Sequence, residues 1–153
     1  MSVDHSVGAW NNILIAYFPD RVTVAALAAV HGANLALRAS YPTGTTTLSL
    51  LRAGMPMPRS DARAYAAKIG REATPHLRGE CIIIDGHPLW ARTARTVLYT
   101  IELLVTPLHP RAVFDSAEQG YPWVLHKADH PLSEAPALRE ATNAIVAANH
   151  RLR

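Results

Sequence analysis

Cys81-Ile82-Ile83-Ile84 is the stretch that most constrains this chain. Three consecutive isoleucines leave no polar face for water, so the run suits a strand covered on both sides. Burying such side chains contributes roughly 1.5–3 kcal/mol each, and the same run on an open edge would invite association. A sheet covered on both sides needs helices above and below it, and 153 residues are enough to build them around a core.

The remaining segments supply those helices. Val7 to Trp10, Asn11-Asn12, then Ile13 to Phe18 reads as a hairpin whose second strand is buried. Thr23 is placed to cap a helix running to about Ala39. Thr45 to Leu51 is branched and strand-like, and the proline-rich loop Ala53 to Pro58 follows it. Ser60-Asp61 opens a second helix, with Ser60 as its N-cap and Thr74-Pro75 ending or bending it. Asp85-Gly86-His87-Pro88 turns into a third helix whose core stripe is Trp90, Ala94, Val97, Leu98, Ile101 and Leu104. Arg111 to Phe114 is a short strand, and Ser116 to Gln119 has capping-box spacing for a further helical turn. A last helix starts at Ser133. The expected class is α/β: a mixed, mainly parallel sheet flanked by helices, opening with a β-hairpin and ending in an extra C-terminal helix. The expected organisation is one domain over 1–153, with a core of about 7–125 and a helical extension over about 133–151.

Composition and motifs exclude several function classes. With 49% hydrophobic and 18% charged residues, the chain is not of the disordered or low-complexity kind. The single cysteine cannot form an internal disulfide, and a thiol opening an apolar strand stays protonated and inert. A net charge of +3 is modest, and the basic stretch Arg59 to Arg78 is interrupted by Asp61 and Glu72 without interleaved aromatics, so no nucleic-acid partner is expected. The longest nearly uncharged stretch, Thr96 to His109, contains Glu102 and two prolines, so no membrane span is expected. Met1 to His5 lacks the basic and apolar regions of a signal peptide, and the expected compartment is the cytoplasm. There is no GxGxxG, P-loop, GxSxG or HExxH motif. His126 and His130 have the spacing of two metal ligands on a helix, but no third ligand follows from the pattern, so neither a metal nor a cofactor is expected.

Open α/β sheets gather ligands beyond the carboxyl ends of their strands. That rule singles out the Arg52 to Ser60 loop, the turn Asp85, Gly86 and His87, and Asp115-Ser116. Asp85 and His87 are candidates for acid–base chemistry, against the alternative that Asp85 and Gly86 merely make the bend. On the third helix, Arg92, Arg95, Tyr99 and Leu103 share the side away from the core and form a candidate face for self-association.

The order of motifs resembles that of bacterial STAS-like domains, relatives of the anti-sigma-factor antagonists. The resemblance rests on the strand Ile13 to Phe18, on Met55-Pro56-Met57-Pro58-Arg59 leading into Ser60, on Gly86 to Arg95, and on Arg111-Ala112-Val113-Phe114-Asp115-Ser116-Ala117-Glu118. It implies a regulatory or protein-binding module without catalysis. It also implies a candidate switch surface of Met55, Met57, Arg59, Ser60 and Asp61, in which Ser60 is either a phosphorylated switch or a plain N-cap. Two other functions stand beside this one: a small carrier of an apolar or lipid-like ligand, and a small enzyme using Asp85 and His87. An enclosed apolar pocket would favour the carrier, and a cleft joining Asp85 to His87 would favour the enzyme. The protein partner is not named by the residues, and a homodimer is the partner the third helix suggests.

Overall fold

The structure is a computed structural model that describes residues 4–104 and 109–153; the side chains of Thr74 and of residues 102–104 lie outside the described part. Its strands are β1 (Ser6–Trp10), β2 (Ile13–Phe18), β3 (Thr45–Leu51), β4 (Leu77–Ile84) and β5 (Arg111–Phe114). Among the described residues they form a five-stranded sheet in the order β1-β2-β3-β4-β5, with the first pair antiparallel and the others parallel. The α/β class with a mixed, mainly parallel sheet is therefore as the sequence pattern implies. Ile82, Ile83 and Ile84 are buried in a strand that has a neighbour on each side.

The helices are α1 (Val24–Ser40), α2 (Ser60–Ala73), α3 (Pro88–Leu104), α4 (Ala117–Ala128) and α5 (Ala135–His150). Thr23 caps α1 as expected, its hydroxyl accepting from the Ala26 amide at 3.1 Å. Ser116 caps α4 by accepting from the Gln119 amide. At α2 the expectation is corrected. The helix starts at Ser60 itself and the Arg59 carbonyl accepts from the Arg63 amide, so Arg59 holds the N-cap position. The capping-box segment is also longer than one turn, because α4 continues to Ala128. It ends where Asp129 adopts a left-handed φ of 64°, which leaves His130 off the helix and separates it from the face that carries His126.

Alternation along the strands gives the sheet two apolar faces. On one, Ile13, Ile15, Leu48, Cys81 and Ile83 pack under Tyr121, Val124 and Leu125 of α4 and Leu138 of α5. Gly120 lets α4 sit close: a Cβ there would lie 2.8 Å from Ile83 Cδ1 and 3.1 Å from Cys81 Sγ. On the other face, Ala16, Phe18, Ile82 and Ile84 meet α1, α3 and the loop after β3. The C-terminal helix is thus part of the core rather than an appendage, because α5 lies against β1, β2 and α4. Asn12 in the hairpin turn fastens this layer, donating from Nδ2 to the Ala128 carbonyl at 3.1 Å.

Leu138 is fully buried and Ile83 nearly so. Leu138→Ala is expected to cost as much as Ile83→Ala, about 2–5 kcal/mol each. Urea unfolding followed by circular dichroism checks this, and a loss under about 1 kcal/mol at Leu138 would show that α5 is peripheral.

Candidate functional site

Helix α2 is set apart from its neighbours by what it rests on. Whereas α1 lies on β1, β2 and β3, and α3 lies on β4, α2 leans mainly on α1 and α3 and stands off the strands. Most of its residues that line the space beneath are small, Ala62, Ala66, Gly70 and Ala73, and Arg63 and Ile69 join them. Between this roof and the sheet lies a cavity of about 180 Å³. Leu14, Phe18, Leu51 and Ile82 form the apolar part of its floor, Val30 comes from α1, and Val97, Leu98 and Ile101 come from α3. Met55 and Met57 line it from the carboxyl end of β3, where the Met55 carbonyl accepts from Trp90 Nε1 at 2.8 Å.

The floor is not uniformly apolar. Strand register places Thr47, Glu80 and Arg111 side by side across β3, β4 and β5, with Leu14 next to Thr47 on β2, so a polar row crosses three strands of the sheet near their amino ends. Glu80 Oε2 accepts from His109 Nε2 at 3.0 Å and from Arg111 Nε at 3.0 Å, with Arg111 Nη2 at 2.9 Å. Burial works to raise the Glu80 carboxyl, but the His109 hydrogen bond and the Arg111 guanidinium outweigh it and hold the group below its ordinary value of 4.5. Glu80 and Arg111 line the cavity, whereas the His109 side chain, at 1% exposure, lies behind them. On the roof side, His31 of α1 faces Glu72 of α2 at 3.4 Å, and Asn34 accepts from the Thr45 hydroxyl at 2.7 Å.

The residues singled out in the sequence fall elsewhere or play other parts. Met55 is buried and Met57 half-buried, both in the cavity wall, so Met55 is not part of an exposed switch surface. Arg59, Ser60 and Asp61 are exposed, and the Asp61 carboxylate accepts from the Ala62 amide at 2.7 Å. Asp85, Gly86 and His87 stand exposed at the end of β4 and do not line the cavity. His87 Nδ1 accepts from the Leu89 amide, which makes it a helix-capping group, and Gly86 takes a φ of 136° where an added Cβ would strike Ala53. On α3, Arg92 and Tyr99 are exposed, Arg95 is engaged by Asp115, and the Leu103 side chain lies outside the described residues. Cys81 is buried on the opposite face of the sheet; burial, with the Glu80 charge adding to it, pushes its thiol up to about 12.

Glu80, His109 and the cavity-facing position of Arg111 escape a reading that starts the strand at Cys81. The available signal is the alternation Glu80, Ile82, Ile84: a carboxylate on a face otherwise built for burial requires partners. No group of three or more His, Cys, Asp or Glu residues among those described could hold a metal, and no described helix is long and apolar enough to cross a membrane. Comparison with protein-family models finds no match, and comparison with curated proteins and with solved structures finds none either.

The held-down Glu80 makes stability depend on acid. Its contribution is present above about pH 4.5 and is lost as the pH falls through the lower value of the folded state. Glu80→Gln is therefore expected to cost about 1–3 kcal/mol at neutral pH. The gap to the wild type should narrow below that range. Urea titrations at neutral and acid pH check it, and a gap that stayed constant would contradict the assignment.

Proposed function

We propose that the protein is a small carrier that holds a mainly apolar ligand between the sheet and α1, α2 and α3. One observation carries this reading: the cavity of about 180 Å³ under a helix that stands off the strands. For scale, a dry engineered cavity of about 150 Å³ takes up benzene, so a guest of about one ring or a short branched chain suits the space. The adaptable thioethers of Met55 and Met57 form one wall and suit guests of varied outline. Native mass spectrometry of the purified chain is expected to show a co-purified small molecule. Ala66→Phe, which projects a ring from the roof into the cavity, is expected to abolish that extra mass while leaving the fold intact and its melting temperature equal or higher. A chain that takes up no apolar molecule under any condition would remove this reading.

The regulatory-module reading keeps one observation in its favour. Leu89 and Tyr99 are 65% and 60% exposed on α3, and Arg92 stands exposed between them in sequence. Aromatic and arginine side chains are the anchors of protein interfaces. On this reading the wild type self-associates at high micromolar concentration and Tyr99→Ala weakens the association. Light scattering that finds only monomer would remove it.

A further inference from the structure

We infer that the ligand carries a hydrogen-bond donor, an O–H or N–H group on an otherwise apolar body of about one ring, and that Glu80 Oε1 accepts it. This inference rests on the cavity being the ligand site. The geometry at Glu80 is one-sided. Every donor of the described residues that reaches the carboxylate goes to Oε2: His109 Nε2, Arg111 Nε and Arg111 Nη2. Oε1 accepts no hydrogen bond from any described residue, although Glu80 lines the cavity and Thr47 lies directly across from it in register. The Glu80 side chain is also the most open of the three, at 21% exposure against 11% for Arg111 and 1% for His109. An ionised carboxylate only accepts, so a carbonyl, ether or carboxylate head finds no complement at Oε1, and an anionic head meets like charge there. A hydroxyl or N–H head does find one, and a hydrogen bond to a charged acceptor is stronger than one between neutral groups.

Three probes of nearly equal shape separate the possibilities: toluene, para-cresol and para-toluate. Their affinities for the full chain at neutral pH are measured by amide chemical-shift titration. Para-cresol is expected to bind at least tenfold more tightly than toluene, and para-toluate is expected to be the weakest of the three. Toluene binding as tightly as para-cresol would overturn the donor assignment while leaving the cavity reading standing. Para-toluate binding most tightly would also overturn it, in favour of an anion held by Arg111. No binding by any of the three would overturn both. The triple substitution Glu80→Met/His109→Leu/Arg111→Met removes the acceptor together with both of its partners, an exchange that buried ionic groups commonly tolerate. It is expected to keep toluene binding, which reports an intact cavity, and to erase the preference for para-cresol. A preference that survives in this variant would overturn the role of Oε1.

Discussion

Each strand after the hairpin is added on the same side of the one before it, and much of the structure follows from that constraint. The order β1-β2-β3-β4-β5 repeats the order of the chain, with parallel pairing from β2 onward. Crossovers of one hand that advance in one direction place all their helices on one face of the sheet. That accounts for α1 and α3 sharing a face, with α2 lodged between them. It also leaves Ile13, Ile15, Leu48, Cys81 and Ile83 exposed on the other face unless later chain covers them, which is the work of α4 and α5. Crowding three helices over a narrow sheet has a second consequence. With α1 over the β1 to β3 side and α3 over β4, the middle helix is propped on its neighbours and a space remains beneath it.

What fills the polar end of that space is set by a second interaction. A carboxylate on an inward sheet face is costly without partners, and Glu80 has two within hydrogen-bond distance. Arg111 is its register partner on β5, so the ion pair ties the short last strand to β4. His109 precedes that strand and is almost wholly buried, so its bond to Glu80 also fixes the approach to β5. Directed polarity at one end and methionine and isoleucine at the other make the cavity two-ended, which is the usual composition of a small-molecule site.

Local rules made much of the fold legible in the sequence. The hairpin, the Thr23 and Ser116 caps and the buried isoleucines follow from periodicity and capping within a few residues. Sequence pattern and structure part where local and long-range information diverge. Ser60 has the chemistry of a cap, yet the helix begins one residue earlier than that role requires. Cys81 looks like the start of its strand, but pairing with β3 extends β4 back to Leu77 and brings Glu80 into the sheet. Many α/β sheets reverse their strand order and open a crevice at the carboxyl ends; here the loop after β3 lines the cavity through Met55, Met57 and Pro58, whereas the turn after β4 does not. This sheet has no reversal, and strand order is a property of pairing that no single segment encodes. Met55 and Met57 were visible as a pair of soft apolar groups, but only the position of α2 turns them into a cavity wall.

The energetics of the cavity bear on what it is for. A closed, dry void of 180 Å³ costs on the order of 4 kcal/mol at about 24 cal/mol per Å³, the upper bound for a cavity that is partly open to solvent. Folded domains of this size are stable by only about 5–15 kcal/mol, so that cost is a substantial share of the whole. The chain has an obvious local remedy, since one larger side chain at Ala62, Ala66 or Ala73 would occupy the space from the roof. The roof instead presents mainly alanine and glycine beside Ile69, while the floor beneath it holds a carboxylate whose Oε1 accepts from no described residue. A ligand at a hundred times its Kd contributes about 2.7 kcal/mol to the folded state, which offsets more than half of the cavity's cost. Occupancy and stability are therefore coupled through one volume, and the small side chains of α2 set the size of both effects.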